Sequence, residues 1–185
     1  MVRILHLGTT EIDFYRPECE VYTLTSINKP VGNILWGSTL IKLPGGKVNS
    51  SWKDYVCSDY PDMNSNYGVS FKLNRNAKIL EIDNMDDYIS VMKKYKRLKY
   101  PHGDDLCLDF EKISKDYDVF HLTEDAFWEL RMPIYKEFYD LKYSDFYSYD
   151  AESWIIFNLD CINKGSILNH NNVFSKWEVI ENYEY

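Results

Sequence analysis

The chain is poor in the residues from which the common catalytic signatures are built. Its four cysteines, Cys19, Cys57, Cys107 and Cys161, stand far apart with no Cys-x-x-Cys among them. A zinc ribbon or dithiol redox motif is thereby excluded, and reduced thiols are expected. No Gly-x-Gly-x-x-Gly occurs, which removes the usual dinucleotide fingerprint. No Gly-x-Ser-x-Gly occurs either, which removes the nucleophile-elbow hydrolases. Gly45-Gly46-Lys47 invites a phosphate-loop reading, but Ile41 stands where the first glycine belongs and Val48 where Ser or Thr belongs. His102 and Cys107 lie near Asp104 and Asp105 without a second ligand pair to close a site, so no metal is expected.

Long apolar runs and a basic surplus are missing too. No window approaches the roughly 18 apolar residues of a membrane-spanning helix. No basic segment leading into an apolar stretch opens the chain, so no signal peptide is expected. The Asn49-Ser50-Ser51 sequon then reads as accidental, and a cytoplasmic location is expected. With 29 acidic and 21 basic side chains the formal charge is −8, which repels a phosphate backbone and disfavours direct nucleic-acid binding. The acids alternate with lysines, as over 105–115, in the manner of a solvated surface.

What the chain does have is core material. At 185 residues, 45% hydrophobic and 16% aromatic, it reads as one domain over 1–185. Strands are expected at 2–5, 21–24, 34–36, 68–73, 77–82 (pairing back on 68–73), 119–122, 145–149, 153–159 and 177–180. Period-two alternation is clearest in Val69, Phe71 and Leu73. Helices are expected over 86–96, behind the capping pair Asp83-Asn84, over 105–115, and from Thr123 onward with Pro133 dividing it. Strands dominate and helices group in the middle, which gives an α+β class.

Two motifs carry chemistry jointly. Arg3-Ile4-Leu5-His6-Leu7-Gly8-Thr9 is a strand ending on a histidine and a small-residue turn. Tyr149-Asp150-Ala151-Glu152-Ser153-Trp154-Ile155-Ile156-Phe157 is a carboxylate leading into a strand. Between them lie Val31-Gly32-Asn33-Ile34-Leu35-Trp36-Gly37-Ser38 and Ser51-Trp52-Lys53-Asp54-Tyr55. His121, inside an apolar strand, reads as a core histidine satisfied by its neighbours. Ser38, two residues past Trp36, shares a strand face with it and is within reach of a ribose or amide.

On these motifs, over 4–162, the chain resembles the ADP-ribosyltransferase superfamily. The likeness is to its small divergent members in bacterial toxins and phage proteins, including ADP-ribosyltransferase-type anti-CRISPR proteins. The resemblance implies a split β-sandwich with flanking helices and NAD as substrate. It implies that His6 bonds the adenosine ribose, that the Leu7, Gly8 and Thr9 backbone meets the nicotinamide amide, and that Ser38 and Trp36 complete the pocket. Glu152 is then the catalytic acid. The sequence departs from the pattern at His-Leu-Gly-Thr, which has one residue more than His-Gly-Thr. Asp150 stands where a second glutamate is usual, and is the rival acid. Tyr55 and Trp52 are the candidates for stacking on nicotinamide.

Cleaving the nicotinamide–ribose bond builds positive charge on the sugar, and one placed carboxylate stabilises it without a metal. The expected activity is transfer of ADP-ribose from NAD to a protein target, in a toxin-like or phage counter-defence setting. The aromatic segment 138–149 (Tyr139, Tyr143, Phe146, Tyr147, Tyr149) is a candidate recognition edge. The alternatives are a NAD glycohydrolase on the same fold and a non-enzymatic acidic inhibitor.

Overall fold

The computed structural model describes residues 2–9, 11–14, 20–24, 28–44, 48–59, 67–98, 106–131, 146 and 149–171. The motif at 45–47, His102, Pro133 and the strand expected at 177–180 lie outside them. So do Cys19, Tyr139, Tyr143 and Tyr147.

Seven strands form one sheet: β1 (Ile4–Leu7), β4 (Leu35–Thr39), β7 (Tyr67–Leu73), β8 (Ile79–Ile82), β11 (Val119–Leu122), β12 (Ser153–Ile156) and β13 (Ile162–Asn171). Their spatial order is β13-β7-β1-β4-β12-β11-β8. All neighbours run antiparallel except β11 and β8, which are parallel. Three two-stranded ribbons decorate the sheet: β2 (Tyr22–Leu24) with β3 (Lys29–Val31), β5 (Ile41–Lys42) with β6 (Val48–Asn49), and β9 (Lys96–Leu98) with β10 (Leu106–Leu108).

The described helices are α1 (Ser51–Asp59), α2 (Met85–Tyr95), α3 (Phe110–Asp116) and α4 (Glu124–Arg131). Each of α2, α3 and α4 has a local reason to start where it does. The Asn84 side chain accepts from the Asp87 N–H, the Asp109 side chain from Lys112, and Thr123 Oγ1 from Ala126. These bonds satisfy amides that a first helical turn leaves orphaned.

All these helices press on the same sheet face. Met85, Tyr88, Val91 and Met92 of α2, Phe110 and Ile113 of α3, and Phe127 and Leu130 of α4 pack against Ile82, Phe120, Leu122 and Ile155. On that face α1 sets Val56, with Trp52 and Tyr55, against Leu5 and Leu40. A smaller cluster of Ile4, Leu35, Phe71, Val119, Trp154 and Ile156 covers the other face. Helices segregated to one side of a mixed sheet are an α+β architecture.

Three expectations are corrected. Residues 77–82 do not return on 68–73, because β7 is already flanked by β1 and β13 and offers no free edge. Instead β8 joins β11 in parallel, with α2 and α3 in the crossover, as parallel pairing requires. The helix expected over 105–115 is two elements: Leu106–Leu108 is strand, and Asp109 caps a helix that begins at Phe110. Residues 162–171, for which no element was expected, form the longest strand among the described residues. Its sequence is polar because β13 is an edge, tied down by the Arg3 guanidinium on the Ser166 carbonyl at 2.7 Å.

Candidate functional site

The middle of the sheet is where β4 changes partners. It pairs with β12 over Leu35–Gly37 and with β1 over Ser38 and Thr39. At each parting a side chain takes over from the backbone ladder. Beyond Leu5 and Ser38 the β1 ladder stops, and His6 Nδ1 donates to the Trp36 carbonyl at 2.6 Å. Beyond Trp154 and Gly37 the β12 ladder stops, and the Thr39 N–H donates to Glu152 Oε2 at 2.9 Å. The two residues singled out together in the sequence therefore flank one strand, each bonded to it. Gly37 between them permits the close approach, since a Cβ there would sit 2.6 Å from Ile4 Cγ2 and 2.9 Å from the Leu5 carbonyl oxygen.

Glu152 is 6% exposed, and an unpaired carboxylate at that depth would be costly. It is well paired. Oε1 accepts from Thr39 Oγ1 at 2.5 Å, His121 Nε2 at 2.9 Å and Trp154 Nε1 at 3.0 Å. Burial pushes its carboxyl up, but the bonds from His121 and from the Thr39 hydroxyl and N–H outweigh it, so it is held below the ordinary glutamate range. Oε1 is saturated, while Oε2 accepts a single bond among the described residues and keeps a lone pair for a further donor.

His121 extends the chain of bonds outward. Its Nδ1 faces Glu81 Oε2 at 2.8 Å, and its ring stacks on Trp154 with centroids 3.6 Å apart and planes 15° from parallel. Glu81, His121 and Trp154 occupy one row across β8, β11 and β12. A polar relay thus runs from an exposed glutamate to a buried one.

The other expected site residues divide between locations. Leu7 packs toward α1. Gly8 is exposed, with φ of 97°, and its N–H already bonds the Tyr67 carbonyl. The Thr9 hydroxyl turns back to the Glu11 carbonyl. Trp36 lies on the helical face, against Tyr149. Ser38 also faces the helices, 0% exposed, its Oγ without a partner among the described residues. Strand alternation makes Thr39, not Ser38, the residue that meets Glu152. Phe146 and Tyr149, expected on a recognition edge, are core residues, 0% and 1% exposed. Sequence reading passed over Thr39, Trp154 and Glu81. The available signal was period two: Glu152 and Trp154 share a face, as do Gly37 and Thr39.

Asp150 belongs elsewhere. It pairs with Lys29 at 3.6 Å and lines a cavity of about 390 Å³ on the helical face, with Trp36, Trp52, Tyr149 and Ser153. The sheet lies between this cavity and the Glu152 carboxylate. No group of residues suited to hold a metal occurs among those described, and none of the described helices is long and apolar enough to cross a membrane. Comparison with protein-family models, with curated proteins and with solved structures returned no match.

Proposed function

We propose that the protein cleaves NAD at the nicotinamide–ribose bond and transfers ADP-ribose to a protein target, with Glu152 as the acid that stabilises the cationic sugar. One observation carries the reading: the ionised Glu152 carboxylate, oriented by Thr39, His121 and Trp154, keeps Oε2 able to accept from a sugar hydroxyl. A carboxylate fixed in place stabilises developing positive charge without reorganising, which is where such sites gain most of their rate. His6, bonded to the opposite side of β4, supports the reading as a second binding group. So does the parting of the sheet at β4, where a split architecture would open. In this assignment Thr39 takes the positioning part given to Ser38 by sequence, and Asp150 is not the acid.

NAD at a hundred times its dissociation constant should stabilise the protein by about 2.7 kcal/mol, read as a thermal shift. Nicotinamide release should fall on the order of 10²–10³-fold in Glu152→Gln. ADP-ribose found on a protein marks a transferase, and free ADP-ribose alone marks a glycohydrolase. Absence of both the thermal shift and nicotinamide release overturns the reading. So does loss of activity in Asp150→Asn with Glu152→Gln unaffected.

A further inference from the structure

The cavity on the helical face is unused by that chemistry, and its walls specify a ligand. Trp36 and Tyr149 form one aromatic corner, with ring centroids 5.6 Å apart, and Trp52 of α1 supplies another wall. About 390 Å³ enclosed mainly by aromatic and aliphatic groups suits a flat ring. The polar part of the lining is narrow. Lys29 Nζ lies 5.8 and 5.5 Å from the Trp36 and Tyr149 centroids and 3.6 Å from Asp150 Oδ2.

That separation is too long for a hydrogen bond. Among the described residues neither charge has another hydrogen-bond partner, although both side chains are about three-quarters buried, at 23% and 27% exposed. The pocket therefore presents a cationic donor beside an anionic acceptor, both with bonding capacity left over. A second cation would be repelled by Lys29 and a second anion by Asp150. The fitting partner is a neutral ring with an acceptor next to a donor on one edge. Adenine has that edge, with N7 accepting beside the donating N6 amine, whereas guanine offers two acceptors there, N7 and O6.

We propose that this cavity binds the adenine ring of a nucleoside or nucleotide, N6 donating to Asp150 and N7 accepting from Lys29, stacked against Trp36 and Trp52. The site is on the far side of the sheet from Glu152, so the proposal stands whether or not NAD is cleaved.

Calorimetric titration of the purified protein with adenosine and with guanosine tests it. Adenosine should bind saturably and about tenfold more tightly, since a mispaired base edge beside a carboxylate is costly. Asp150→Ala should erase that preference, and Trp52→Leu should weaken adenosine binding by about tenfold, each with its thermal unfolding checked against wild type. Competition by NAD would make the adenine that of NAD. Adenosine binding undisturbed by NAD would make it a free nucleoside. Either result supports an adenine site. Equal affinity for guanosine, no saturable binding, or binding lost in Glu152→Gln but intact in Asp150→Ala would overturn the proposal.

Discussion

Asp150 and Glu152 are separated by Ala151 alone, yet their carboxylates end on opposite faces of the sheet. In a regular strand, residues two apart share a face. Here β12 begins only at Ser153, and the bend at Ala151 turns Asp150 toward Lys29 and the aromatic cavity. The Glu152 surroundings are closed: four donors from three residues, 6% exposure, and a stacked His–Trp pair beneath. The Asp150 surroundings are loose, with one partner at 3.6 Å and a cavity alongside. Two equal charges thus serve different ends. A buried carboxylate held by four donors, with one lone pair left on Oε2, fixes geometry at a strand junction, and a loosely paired one can still rearrange around a ligand.

The largest consequence of that difference is in stability. Glu152→Ala strips a buried imidazole, an indole N–H and the Thr39 donors of their acceptor, and should cost about 3–5 kcal/mol by chemical denaturation. A cost below about 1 kcal/mol would show that the closed cluster is less coupled than its geometry implies. Trp154→Phe keeps a ring over His121 but removes the Nε1 bonds to Glu152 and Thr39 together with part of the buried indole volume, so about 1.5–3 kcal/mol should be lost.

Acid should separate the two carboxylates further. Because Glu152 is held below the usual glutamate range, its contribution is complete above an ordinary value of about 4.3 and lost as pH falls through the lower folded value. His170 adds a second step. Burial, then Arg3, holds its ring below the usual histidine range, so its contribution is full above about 6.5 and lost as pH falls through the lower folded value. Denaturation midpoints measured from about pH 7 downward should therefore fall in two stages, and Glu152→Gln should remove the more acidic one. The smallest effect should come from Asp150→Ala. A 3.6 Å pair with both side chains partly exposed is worth at most about 1 kcal/mol.

The strands at the heart of the sheet were legible because they are buried on both faces. Val119–Leu122 and Ser153–Ile156 are wholly buried and read as short apolar runs. The amphipathic spacing of Tyr88, Val91, Met92 and Tyr95, with its capping Asn84, gave α2 to within a residue. Elements stabilised from outside were not legible. The β13 strand is polar, and α1 buries only Lys53 and Val56 among its residues. Periodicity measures burial, so an edge strand or a helix resting lightly on the sheet leaves little trace of it.

By itself the sequence determined the α+β class, the central strands, and the pairing in interest of His6 with Glu152, since each stands where an apolar strand meets a turn. The tertiary structure decided the rest. It chose Thr39 over Ser38 as the partner of Glu152, joined His121, and through it Glu81, to the same carboxylate, and sent Asp150 to the opposite face. The physical reason is register. Which side chains meet across a sheet depends on the pairing of strands far apart in the chain, and a slip of one residue exchanges the faces.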